Sequence, residues 1–61
     1  MHLYFIVFKN KKDNDYKLFT NNIFDKEKDA DEFGRKSMKR GYEHKVVEYN
    51  NDNYYRYWND N

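Results

Sequence analysis

Residues 50–61 read NNDNYYRYWNDN, and this stretch decides the fold: it gathers Tyr54, Tyr55, Tyr57 and the only tryptophan, Trp58, among runs of Asn and Asp. Terminal segments are usually polar and frayed, so large aromatics here are either built into a sheet or held out for a partner. Residues 50–53 read as a loop, because Asn and Asp tolerate positive φ. Residues 54–58 then read as a strand that pairs back, with Tyr54, Arg56 and Trp58 on one face and Tyr55 and Tyr57 on the other.

Working outward, residues 42–49, YEHKVVEY, form the preceding strand around Val46 and Val47. A helix is predicted over 25–40. Asp25 is its expected N-cap, acidic side chains fill its first turns, and Ala30, Phe33, Gly34, Ser37 and Met38 form one narrow apolar stripe. Arg35, Lys36, Lys39 and Arg40 crowd its end, where the helix dipole favours cations, and Gly41 is the expected left-handed stop.

Residues 3–8, LYFIVF, are apolar on both alternating faces, the pattern of a central strand covered on both sides. Residues 15–20, DYKLFT, supply its hairpin partner across a Lys- and Asn-rich turn. The predicted architecture is one α+β domain over 1–61, ββαββ, with a four-stranded antiparallel sheet in the order 2-1-3-4. Its single helix covers one face of that sheet. The other face, rich in Tyr and Phe, is left as an interaction surface.

Composition narrows the function. Sixty-one residues without cysteine lie near the lower size limit for an unstapled domain. Seven Tyr, five Phe and one Trp supply compensating burial, and a homodimer would add more. A net charge of +1 implies neither an acidic mimic of nucleic acid nor a strongly basic groove. The LYFIVF run is too short for a membrane helix or a signal-peptide core, so a soluble, cytoplasmic protein with no membrane association is expected.

Catalytic and cofactor readings find little. Ser37 lies on the helix stripe, Thr20 ends a strand, and His2 and His44 sit on strands, so neither an enzyme nor a cofactor is expected. A His pair with Glu43 or Glu48 is outweighed as a metal site by the plainer reading of partly exposed strand histidines. Two binding readings remain. Tyr, Trp and Arg are enriched in protein-interface hot spots, which points to Tyr4, Tyr54, Tyr55, Arg56, Tyr57 and Trp58 as a protein-binding set. The alternative is a nucleic-acid module using Arg35, Lys36, Lys39 and Arg40 with the Tyr-rich sheet.

In size and in its Lys, Asn, Asp and Tyr content, with a two-strand start and the helical stretch KDADEFGRK, the chain resembles small phage or mobile-element proteins of low-GC Gram-positive bacteria. That resemblance implies host-takeover or anti-defence action, anti-CRISPR proteins included, by non-catalytic, stoichiometric inhibition of a host protein. It carries no residue-level motif.

Overall fold

The computed structural model describes residues 1–58. Its order is β1 (Tyr4–Asn10), β2 (Lys17–Leu18), α1 (Glu27–Ser37), β3 (Tyr42–Glu48) and α2 (Asn51–Trp58). The chain is α+β, with an antiparallel sheet of three strands in the order β2-β1-β3. Strand β1 is central, as its two apolar faces require. Phe5, Ile6 and Val7 are wholly buried.

The predicted fourth strand is instead helix α2, which removes strand four from the expected order, leaving 2-1-3, and raises the helix count to two among the described residues. Asn50 is the residue that turns the chain: its side-chain Oδ1 accepts the Asn53 N–H at 2.8 Å, and its carbonyl accepts the Tyr54 N–H at 2.9 Å. That is an N-cap followed by the first helical bond. Tyr54 and Tyr57, three apart, then lie on one face of the helix.

Directly opposed residues of a sheet share a face. The register pairs Phe5 with Val47 and Val7 with Lys45 and Leu18; Ile6 pairs with Val46, and Phe8 with His44 and Lys17. On the even-numbered face of β1, Phe8 meets Phe19 at 5.2 Å, and Phe33 of α1 sits between Phe19 at 6.4 Å and Phe24 at 5.5 Å. On the odd-numbered face, Phe5 meets Tyr49, Tyr54 and Tyr57 at 6.3, 5.3 and 6.0 Å between ring centroids. The two helices therefore cover opposite faces. Among the described residues no aromatic sheet face is left open, which overturns the expectation that one helix would do all the covering.

Several boundaries also move. Helix α1 begins at Glu27 with Lys26 in the cap position and no side-chain cap, so Asp25 is not its N-cap. It ends at Ser37, because Met38 turns to extended backbone while its N–H still donates to the Gly34 carbonyl at 3.1 Å. Of the predicted stripe, Ala30 and Gly34 are buried and Met38 half-buried, but Ser37 is exposed. Gly41 does adopt φ +90°, in a turn closed by the Tyr42 N–H donating to the Lys39 carbonyl at 3.1 Å. Positive φ at the third residue of a four-residue turn is the type II geometry that selects glycine. Strand β2 is only two residues long, although backbone bonds extend its pairing, Phe19 N–H to Ile6 carbonyl at 2.9 Å and Phe24 N–H to Tyr4 carbonyl at 2.8 Å.

Candidate functional site

Helix α2 carries five of the six residues of the protein-binding set, and the helical period divides them. Tyr54 and Tyr57 face the sheet as part of the core against Phe5. Tyr55 and Trp58, three apart, are exposed at 59% and 54% and stack edge to face at 6.1 Å. Arg56 is also exposed, but it borders a cleft with Asn14, Asp15, Tyr16 and Tyr57. Tyr4, the remaining member of that set, lies half-buried on the α1 side of the sheet, opposite Glu48. The structure thus brings Tyr55 and Trp58 together in the open, leaves Arg56 exposed on another side of the helix, assigns Tyr54 and Tyr57 to its foundation, and separates Tyr4 from all of them.

An exposed aromatic pair on a short helix would be mobile without that foundation. Here the Tyr54 ring also contacts Tyr49 at 5.3 Å, and Asn53 ties the helix start to β3 through Nδ2 donating to the Glu48 carbonyl at 3.1 Å. Tyr55 and Trp58 are therefore presented from a fixed base, which lowers the ordering cost of binding.

The basic set is divided too. Arg35 is paired with Asp31 at 2.8 Å and Lys36 with Glu32 at 3.7 Å, both one helical turn apart. Among the described residues Lys39 and Arg40 make no ion pair. Lys39 borders a cleft of about 260 Å³ lined by Phe8, Phe19, Ser37, Met38 and Tyr42.

The two histidines do not meet. His2 Nδ1 lies 2.6 Å from a Glu48 carboxylate oxygen, whereas His44 Nε2 lies 2.9 Å from Asp31 Oδ1. The His44 ring packs directly on Gly34, so the buried helix face touches the sheet at a residue with no side chain. Among the described residues no group of three or more His, Asp or Glu side chains is arranged to hold a metal ion. No helix of the described residues is long and apolar enough to cross a membrane.

The polar cluster with the clearest electrostatics is on the α2 side. Glu43 accepts from Lys9 Nζ at 3.1 Å and from the Tyr16 hydroxyl at 3.0 Å, and Lys45 Nζ sits 4.7 Å from the Tyr16 ring centroid. The Lys9 ammonium, then the Tyr16 hydroxyl, hold the Glu43 carboxyl below the usual carboxylate range, while burial first, and then Glu43, push the Tyr16 phenol up. Arg35, then His44, hold Asp31 down likewise. A carboxyl whose folded pKa is depressed contributes stability above its unfolded pKa and loses it as pH falls through the folded one. Denaturant titrations between neutrality and about pH 3 should therefore show wild type losing more stability with acid than Glu43→Gln does. Parallel pH profiles for the two proteins would remove Glu43 from the account.

The chain matches no protein-family model, no curated protein and no solved structure. The fold and its exposed chemistry stand on their own residues.

Proposed function

We propose that this chain is a small non-catalytic binding protein that acts by stoichiometric binding, and thereby inhibition, of a protein partner. The observation that carries the reading is the Tyr55–Trp58 pair, exposed and edge to face on a helix whose other side is locked into the core. Tyr, Trp and Arg dominate interface hot spots because each buries a large area with few rotatable bonds or offers a fork of donors. Arg56, exposed on the same helix, supplies a cation at the margin of that surface. The resemblance to phage and mobile-element proteins makes a host protein of a Gram-positive cell the proposed target and its cytoplasm the proposed location.

Nucleic acid is the second reading, favoured by Lys39 and Arg40, which make no ion pair among the described residues and flank the 37% exposed Tyr42. Affinity capture from host lysate, with and without nuclease, separates the two. A host protein retained by wild type after nuclease, and lost by Trp58→Ala, is the expected result. The loss should be on the order of 2 kcal/mol or more, roughly 30-fold in affinity, with the fold retained by circular dichroism. Undiminished capture by Trp58→Ala would remove α2 as the binding surface. Loss of every partner with nuclease would transfer the reading to the basic turn.

A further inference from the structure

The outer edge of β3 is a second, independent surface, and its backbone geometry can be read from the two ends of the β1–β3 ladder. The Tyr49 N–H donates to the Leu3 carbonyl at 2.7 Å, and the Lys11 N–H donates to the Gly41 carbonyl at 2.9 Å. In an antiparallel ladder hydrogen-bonded positions alternate. Hence Glu43, Lys45 and Val47 turn their backbone groups inward to β1, while His44, Val46 and Glu48 turn theirs to the open edge. Among the described residues nothing pairs with those three N–H groups, and no strand lies beyond β3.

We propose that two copies of this chain pair along β3, antiparallel about a two-fold axis at Val46, joining their sheets into one. Self-complementarity of side chains and donors selects both the partner and the register. With the axis at Lys45, two lysines would stand directly opposite, which is destabilising. With the axis at His44, the Glu48 N–H would fall outside the pairing, and the Tyr42 N–H is already committed to the Lys39 carbonyl.

With the axis at Val46 all three free donors are used. Val46 bonds its own counterpart, His44 and Glu48 bond each other reciprocally, and the Glu48 carbonyl, which accepts from Asn53, keeps a lone pair for this. Val46 then meets Val46 side by side, the His44 imidazole faces the Glu48 carboxylate, and Lys45 faces Val47. No like charges are directly opposed. Such pairing also gives a chain of this size the additional burial that small domains need. It leaves the outer face of α2 free and does not depend on what that face binds.

Because the chain has no cysteine, single-cysteine variants can report the register. Hydrogen-bonded partners in an antiparallel pair have Cα atoms about 5.5 Å apart, within disulfide range. Val46→Cys should oxidise to a covalent dimer, and Lys45→Cys should not. Sedimentation of wild type should show a concentration-dependent dimer. Val46→Pro, which removes only an outward N–H and so is tolerated on an edge strand, should sediment as a folded monomer. Cross-linking through Lys45→Cys in preference to Val46→Cys, dimerisation undiminished by Val46→Pro, or a wild-type monomer at millimolar concentration would each overturn the proposal. A monomer whose edge instead takes up an unrelated extended peptide would overturn it as well.

Discussion

Phe5→Ala should abolish the folded state at room temperature. The ring is wholly buried and is the point on which Tyr49, Tyr54 and Tyr57 converge. Truncating a buried Phe costs about 3–5 kcal/mol, the lost transfer energy plus the cavity left behind. A domain of this size draws only about 3–5 kcal/mol of net stability from a single core. The substitution also takes away the surface on which α2 rests, so helix and sheet should fail together. Far-UV circular dichroism with a urea titration is the measurement, and Tyr55→Ala is the control. Tyr55 is largely exposed, so its loss should change stability by no more than about 0.5 kcal/mol. A Phe5→Ala protein unfolding cooperatively near the wild-type midpoint would mean that α2 does not hold the second face of the sheet.

The other large effect has an unusual sign. In a helix interior Gly→Ala ordinarily stabilises by about 1 kcal/mol. Gly34→Ala should instead destabilise by about 1–3 kcal/mol, the usual cost of overpacking. A Cβ at Gly34 would overlap the His44 ring, lying 2.9 Å from Cγ and 3.0 Å from Nε2. The ring cannot easily withdraw, since Nε2 is engaged with Asp31 and its own strand is paired to β1. Relief should come from the other side of the contact. In the His44→Ala background the same Gly34→Ala change should recover its normal helix-favouring sign, and a double-mutant cycle by thermal or chemical denaturation reads this as a coupling energy. Additive effects in that cycle would refute the contact as the cause.

Much of this fold was legible in the sequence. LYFIVF, apolar on both alternating faces, announced a central strand with two covers, and Ala30, Phe33 and Gly34 marked the helix that provides one of them. The second cover was missed because Tyr54, Arg56 and Trp58 alternate with Tyr55 and Tyr57 in the period of a strand, and residues 50–53 have the composition of a hairpin loop. Tyr54 and Tyr57 at i and i+3 behind a capping Asn50 carried the competing helical signal. The two faces of LYFIVF could have decided between them, since a fourth strand would have left Phe5 facing water.

The division of the candidate site follows from the same misreading. A strand would have put Tyr54 and Trp58 on one face and Tyr55 on the other; a helix puts Tyr55 and Trp58 outside together and Tyr54 within. Of the basic set, Arg35 and Lys36 lie in the last turn of α1 while Lys39 and Arg40 fall in the turn beyond its end, and sequence spacing alone did not show that Arg35 and Lys36 are taken up by carboxylates one turn earlier.

The contact between Phe5 and Tyr57 joins β1 to α2, elements separated by everything the chain folds in between. On the ribosome β1 emerges before α2, so the Phe5 face of LYFIVF stays unshielded until residue 57 has been translated. Six consecutive aromatic, branched and aliphatic residues without charge are the composition from which cross-β aggregates grow. Lys9, Lys11 and Lys12 follow that run immediately, where charged residues restrain association of unavoidable apolar segments. The hairpin lysines thus protect the nascent chain during the interval in which α2 does not yet exist.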